Sequence, residues 1–153
     1  MAVAFRATPP APGEPRELLV EADGGSRGNP GHAGSGTVVI DPVTGEVLAE
    51  IGLYLGVASN NVAEYRAMIA GVSKAIALDP DAVIHVRMDS KLVVEQMSGR
   101  WKIKHPDMAD LAAEARGILS GTPVSFEWIP RADNSRADKL ANEAMDRKAS
   151  FER

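Results

Sequence analysis

No cysteine occurs anywhere in the 153 residues. That excludes a disulfide framework, a thiolate metal site and a cysteine nucleophile, and it fits a reducing cytosol. Long apolar runs are also missing. None approaches the ~20 residues that span a bilayer, and residues 1–17 lack the continuous apolar stretch of a signal peptide. The expectation is a cytoplasmic chain with no membrane partner. A surplus of positive charge is absent too: net charge is −4 and the pI is near 5.4. Bulk charge therefore does not advertise a nucleic-acid partner. Histidine is scarce, with only His32, His85 and His105 present.

What is present suffices for one domain with a sizeable core. Residues 1–17 hold Pro9, Pro10, Pro12 and Pro15 and read as a flexible leader. Residues 18–148 read as the domain, monomeric, and residues 149–153 as a short tail. The domain is organised around Leu18 to Gly31. There an apolar run leads to Asp23, and a loop carrying Gly24, Gly25, Gly28 and Gly31 follows. An acid at the end of a buried strand, next to backbone free to approach a ligand, is a site design.

Strands are expected over Ser35–Ile40 and Glu46–Leu55, joined by the turn Asp41–Gly45. Val62, Tyr65, Ile69, Val72 and Ile76 recur at helical spacing within a helix over Asn61–Leu78. A strand over Val83–Met88 then ends at Asp89. Helices over Ser90–Met97 and Asp107–Ser120, a strand over Val124–Ile129 and a helix over Ser135–Lys148 complete the chain. The expected architecture is α/β: a five-stranded mixed sheet, an antiparallel meander plus parallel strands, with helices on both faces.

Four acids occupy the ends of these elements. Asp23 and Asp89 close strands expected to lie side by side, while Glu64 and Asp138 sit in first helical turns with inward-facing neighbours. Each has a plain local use. Asn61-x-x-Glu64 and Ser135-x-x-Asp138 fit a capping box, and Asp89 can cap the helix after it. Together they are harder to explain that way, because carboxylates crowded away from water need cations. An all-oxygen ligand set favours magnesium or manganese. Two local basic groups, around Lys102 and around Arg131, can track phosphates. Paired ions beside a backbone-reading surface are an apparatus for hydrolysing a phosphodiester.

The blocks Asp23-Gly24-Gly25-Ser26-Arg27-Gly28-Asn29-Pro30-Gly31, Ser59-Asn60-Asn61-Val62-Ala63-Glu64, Met88-Asp89-Ser90 and Asn134-Ser135-Arg136-Ala137-Asp138-Lys139-Leu140-Ala141 resemble the four motifs of ribonuclease H type I, in the family's order. The resemblance implies an RNase H-like fold and endonucleolytic cleavage of RNA in RNA–DNA hybrids. It implies two Mg2+ or Mn2+ ions held by Asp23, Glu64, Asp89 and Asp138, and 5′-phosphate and 3′-hydroxyl products. In the family the acid matching Asp23 bridges both ions. The one matching Asp138 serves the attacking water, and those matching Glu64 and Asp89 serve the leaving oxygen. Gly24, Gly25, Ser26, Asn29, Ser59, Asn60, Asn61, Ser90, Lys102, Arg131 and Asn134 become the expected substrate contacts.

Two departures stand out. Ser98-Gly99-Arg100-Trp101 leaves no room for the basic helical protrusion of long bacterial members, and the loop Pro130–Asn134 lacks the histidine some members carry. Two rivals remain open: a hybrid-binding module without turnover, and an aspartyl phosphatase using Asp23 as nucleophile. Against the second, such enzymes usually have an acid two positions on, where this chain has Gly25.

Overall fold

The computed structural model describes residues 8–153; the part of the expected leader at residues 1–7 lies outside the described residues. Six strands form one sheet: β1 (Glu17–Arg27), β2 (Gly31–Ile40), β3 (Val47–Ala58), β4 (Val83–Met88), β5 (Val124–Trp128) and β6 (Phe151–Glu152). Their order is β5-β4-β1-β2-β3-β6. β1, β2 and β3 form the expected antiparallel meander, and β4 and β5 run parallel to β1. The helices are α1 (Asn60–Leu78), α2 (Lys91–Met97), α3 (Pro106–Ile118) and α4 (Ser135–Arg147). A 3₁₀ turn over Arg131–Asn134 leads into α4.

The expected count of five strands is corrected to six. The added strand, β6, lies in the segment read as a tail and pairs antiparallel with Ile51 and Gly52 of β3. Two residues leave no periodic signal. The pairing instead follows from a side chain: the Phe151 ring packs over Gly52, and the Arg147 and Arg153 guanidiniums flank it at 4.9 and 4.7 Å from the ring centroid.

Alternation along the central strands sorts the core into two layers. Leu18, Val20 and Ala22 of β1 and Ile84, Val86 and Met88 of β4 face α1 and α3, and form the main core with Tyr65, Met68 and Val72. Leu19, Val38 and Ile40 face the other way and meet Leu140 of α4. α4 covers β2, β3 and part of β1. Beyond it, the same face of β4 and β5 carries cross-strand polar pairs. His85 Nδ1 lies 2.7 Å from Ser125 Oγ, and Arg87 Nε donates to Glu127 at 3.1 Å.

The second correction concerns the glycines after Asp23. The chain does not break into a loop there. β1 continues to Arg27, and Gly24, Gly25, Ser26 and Arg27 pair with Ser35, Gly34, Ala33 and His32 of β2. Gly24 is needed for close approach, since a Cβ there would run into the backbone of Ala63 and the amide of Glu64. On the opposite face, a Cβ on Gly36 would strike the carbonyl of Ala137. These two contacts bring α1 and α4 down onto the sheet on either side of Asp23, which is what carries Glu64 and Asp138 toward it.

Candidate active site

β1 and β4 stay in parallel register up to Ala22 and Met88. The next residues, Asp23 and Asp89, therefore project together just past the last pair of the parallel β1–β4 ladder, Asp23 within β1 and Asp89 just after β4. Glu64 descends from the first turns of α1. One carboxylate oxygen from each of Asp23, Glu64 and Asp89 lies within 4.8 Å of the others. Asp138 stands outside that trio but lines the same cavity of about 460 Å³ and is close enough to help raise the Asp23 carboxyl.

The capping roles open to these acids are not used. The cap of α1 is Ser59, whose Oγ accepts from the Val62 amide at 3.2 Å, which puts Glu64 beyond capping reach. The cap of α2 is Ser90, accepting from Val93 at 3.3 Å, so Asp89 is spared. α4 starts after Asn134, which makes no side-chain capping bond, and Ser135 and Asp138 form no capping box.

The electrostatics of the cluster are those of surplus negative charge. Burial, then the charge of Asp89, then Asp138, push the Asp23 carboxyl from 3.8 up to about 7. Burial, followed by the charges of Asp23 and Asp89, raises Glu64 well above the usual range, against a lowering hydrogen bond from the Gly24 amide. Glu64 Oε2 is buried with no hydrogen-bond partner among the described residues. A buried carboxylate oxygen left without a donor, facing two more carboxylates, is what a hard divalent cation satisfies. The donor set fits magnesium or manganese.

Of the expected substrate contacts, Gly24, Gly25, Ser26, Asn60, Asn61, Ser90 and Arg131 line the acid cavity. Ser59 and Lys102 line a neighbouring one with Asn61, Lys104 and His105. The Ser26 amide is spent internally, donating to Asn60 Oδ1 at 2.8 Å. Asn29 Oδ1 in turn accepts from the Asn60 amide at 3.2 Å. Asn134 is corrected as a substrate contact, because it is fully buried. Its Nδ2 donates to Ala22 O at 2.8 Å and to Asp89 Oδ1 at 2.9 Å.

Three contributors escaped the sequence reading. Asn142, one turn after Asp138, donates to its Oδ1 at 3.3 Å; the four-residue spacing on a helix was the available signal. Arg27 lines the cavity and pairs with Asp146 at 2.7 Å. Trp128 donates its indole N–H to Asp89 O at 3.2 Å, a pairing that only the sheet register reveals.

The fold and this acid cluster together define a ribonuclease H-like domain. Residues 21–144 match the reverse transcriptase-like family. The N-terminal RNase H domain of a Mycobacterium tuberculosis protein is 53% identical, with a TM-score of 0.80, covering 85% of this chain and 99% of that one. The RNase H1 of Halobacterium salinarum is 42% identical, with a TM-score of 0.81, over 86% and 98% of the two chains. LC11-RNase H1, solved in complex with an RNA/DNA hybrid, is 39% identical with a TM-score of 0.82, over 86% and 99%. The chain belongs to the type 1 ribonuclease H family. It spans 36% of the length of the bifunctional M. tuberculosis protein, to which it is 54% identical over 131 residues covering 85% of this chain.

Proposed function

We propose that this chain is a ribonuclease H that hydrolyses the RNA strand of RNA–DNA hybrids, using two divalent ions held by Asp23, Glu64, Asp89 and Asp138. The observation that carries the reading is the convergence of the Asp23, Glu64 and Asp89 oxygens within 4.8 Å, with Glu64 Oε2 buried and unsatisfied. Asp23, whose carboxyl feels Asp89, Asp138 and Glu64, and Asp138, which lines the same cavity, would complete the set of residues that hold the ions. Bound there, divalent ions supply charge neutralisation at the scissile phosphate and a lowered pKa for the attacking water. In-line attack then leaves a 5′-phosphate and a 3′-hydroxyl.

The protein's own groups do the positioning. With the Asn60 and Asn29 carbonyl oxygens engaged by backbone amides, their NH2 groups are left to donate. Donors of this kind suit the acceptors of a minor groove and the 2′-hydroxyl that separates RNA from DNA. Arg131, with its side chain 82% exposed and Nη2 4.0 Å from Asp138 Oδ1, carries a fixed positive charge to the cavity mouth. It can hold a phosphate but cannot take a proton.

The test is a digest of matched RNA–DNA, RNA–RNA and DNA–DNA duplexes with Mg2+, Mn2+ or EDTA. Cleavage of RNA only in the hybrid, lost in EDTA, is the expected result. Hybrid binding without turnover would favour a binding module, and phosphate release from a small monoester would favour an aspartyl phosphatase.

Affinity should rest on few charges. Lys102 and Lys104 border the cavity that also takes in Ser59 and Asn61, beside the acid site, where the second strand of a duplex would pass. Lys102→Ala/Lys104→Ala is expected to weaken hybrid binding and reduce the slope of log K against log salt by about 1–2. Binding titrations from 50 to 200 mM salt check it; an unchanged slope would place these lysines off the substrate path.

A further inference from the structure

We infer that Asn134 is a positioning residue for the acid cluster: its side-chain amide locks the Asp89 carboxylate against Ala22 of β1 without adding charge. This rests on the ion-holding role proposed for Asp89. Asn134 occupies the cap position of α4 with φ −115° and ψ 28°, yet its side chain makes no capping bond. A capping asparagine turns its oxygen toward the helix amides. Here that oxygen is buried and has no hydrogen-bond partner among the described residues, a costly arrangement that a purely local role does not explain.

The nitrogen end accounts for the orientation. Both N–H groups of one amide are used, to Ala22 O at 2.8 Å and to Asp89 Oδ1 at 2.9 Å. Ala22 and Met88 are the last pair of the parallel β1–β4 ladder. Asn134 thus ties the two strands immediately beyond their ladder, at the residues preceding Asp23 and at Asp89 itself. The Trp128 indole fixes the Asp89 backbone from the β5 side, at 3.2 Å. An arginine or lysine in place of Asn134 would neutralise Asp89 and compete with a cation. A neutral donor orients one carboxylate oxygen and leaves the charge and the other oxygen for the ion.

Asn134→Asp keeps the shape, removes the donor and sets a second carboxyl against Asp89. Its kcat should fall about 10–100-fold with the KM for hybrid changed less than threefold. In the absence of substrate, its calorimetric Mn2+ isotherm should show an altered affinity or stoichiometry. Asn134→Ala, the second variant, should weaken Mn2+ binding about tenfold, and should add nothing to the loss already caused by Asp89→Asn. If packing alone mattered, Asn134→Asp would keep wild-type kcat and Mn2+ binding, and both variants would differ only in Tm; that result overturns the inference. A wild-type chain that binds Mn2+ yet cleaves no hybrid would instead overturn the functional reading. The Mn2+ isotherms of the variants would still decide the role of Asn134.

Discussion

Asp89→Asn is expected to abolish hybrid cleavage, by ~10³-fold or more, while leaving the fold intact and its Tm unchanged or slightly raised. The substitution is nearly isosteric, and its surroundings tolerate it. The new side chain keeps an oxygen to accept from Asn134 Nδ2, now 2.9 Å away, and the Trp128 bond goes to the backbone carbonyl. What disappears is one negative charge from three oxygens lying within 4.8 Å. That charge raises the carboxyls of both Asp23 and Glu64, so its loss relieves repulsion in the ion-free protein. The same loss deprives a cation of a third anionic ligand. Circular dichroism melts, Mn2+ calorimetry and hybrid cleavage on one preparation check the prediction. Retention of more than a small fraction of activity would remove Asp89 from the ion-holding set.

The acids stand out in sequence by their place relative to apolar runs and helix starts. Asp23 and Asp89 follow apolar strands, and Glu64 shares a stripe with Met68, Gly71 and Val72, of which Met68 and Val72 are fully buried. Their purpose was less legible. Local rules offered a cap for each helix acid, and only the structure shows Ser59 and Ser90 already doing that work. The run of glycines after Asp23 was misread because turns and close contacts draw on the same residue. Gly24 is in the sheet because the α1 backbone passes over it, a tertiary demand with no local signature. The role of Asn134 is hidden for the same reason: its partners, Ala22 and Asp89, are 112 and 45 residues away. β6 is held by the fit of Phe151 over Gly52, which no two-residue pattern can announce.

The ion-free protein should lose stability as pH rises from about 4 to about 7, and regain it at pH 8 when Mg2+ is added. The Asp23 carboxyl moves from 3.8 up to about 7 on folding, chiefly through burial and the charge of Asp89. Between those two values the folded chain holds a proton that the unfolded chain has released, so rising pH favours unfolding. The contribution is full below the unfolded value and is gone once pH passes the folded one. Glu64 is raised for the same reasons and acts in the same direction. Divalent ions reverse the loss because they bind the ionised cluster of the folded state and not the dispersed carboxylates of the unfolded one. Other carboxylates titrate over part of this range, so the comparison that isolates the effect is Asp23→Asn. That variant should melt about 2–8 °C above wild type at pH 8 in EDTA, show a smaller pH dependence between 4 and 7, with the remainder from Glu64, and gain little from Mg2+. Scanning calorimetry of both proteins from pH 4 to 9, with EDTA or Mg2+, gives the four curves required. A wild-type Tm that stays flat to pH 8 in EDTA would show that Asp23 is not strained by its neighbours, and an equal Mg2+-induced rise in Asp23→Asn would show that it is not central to ion binding.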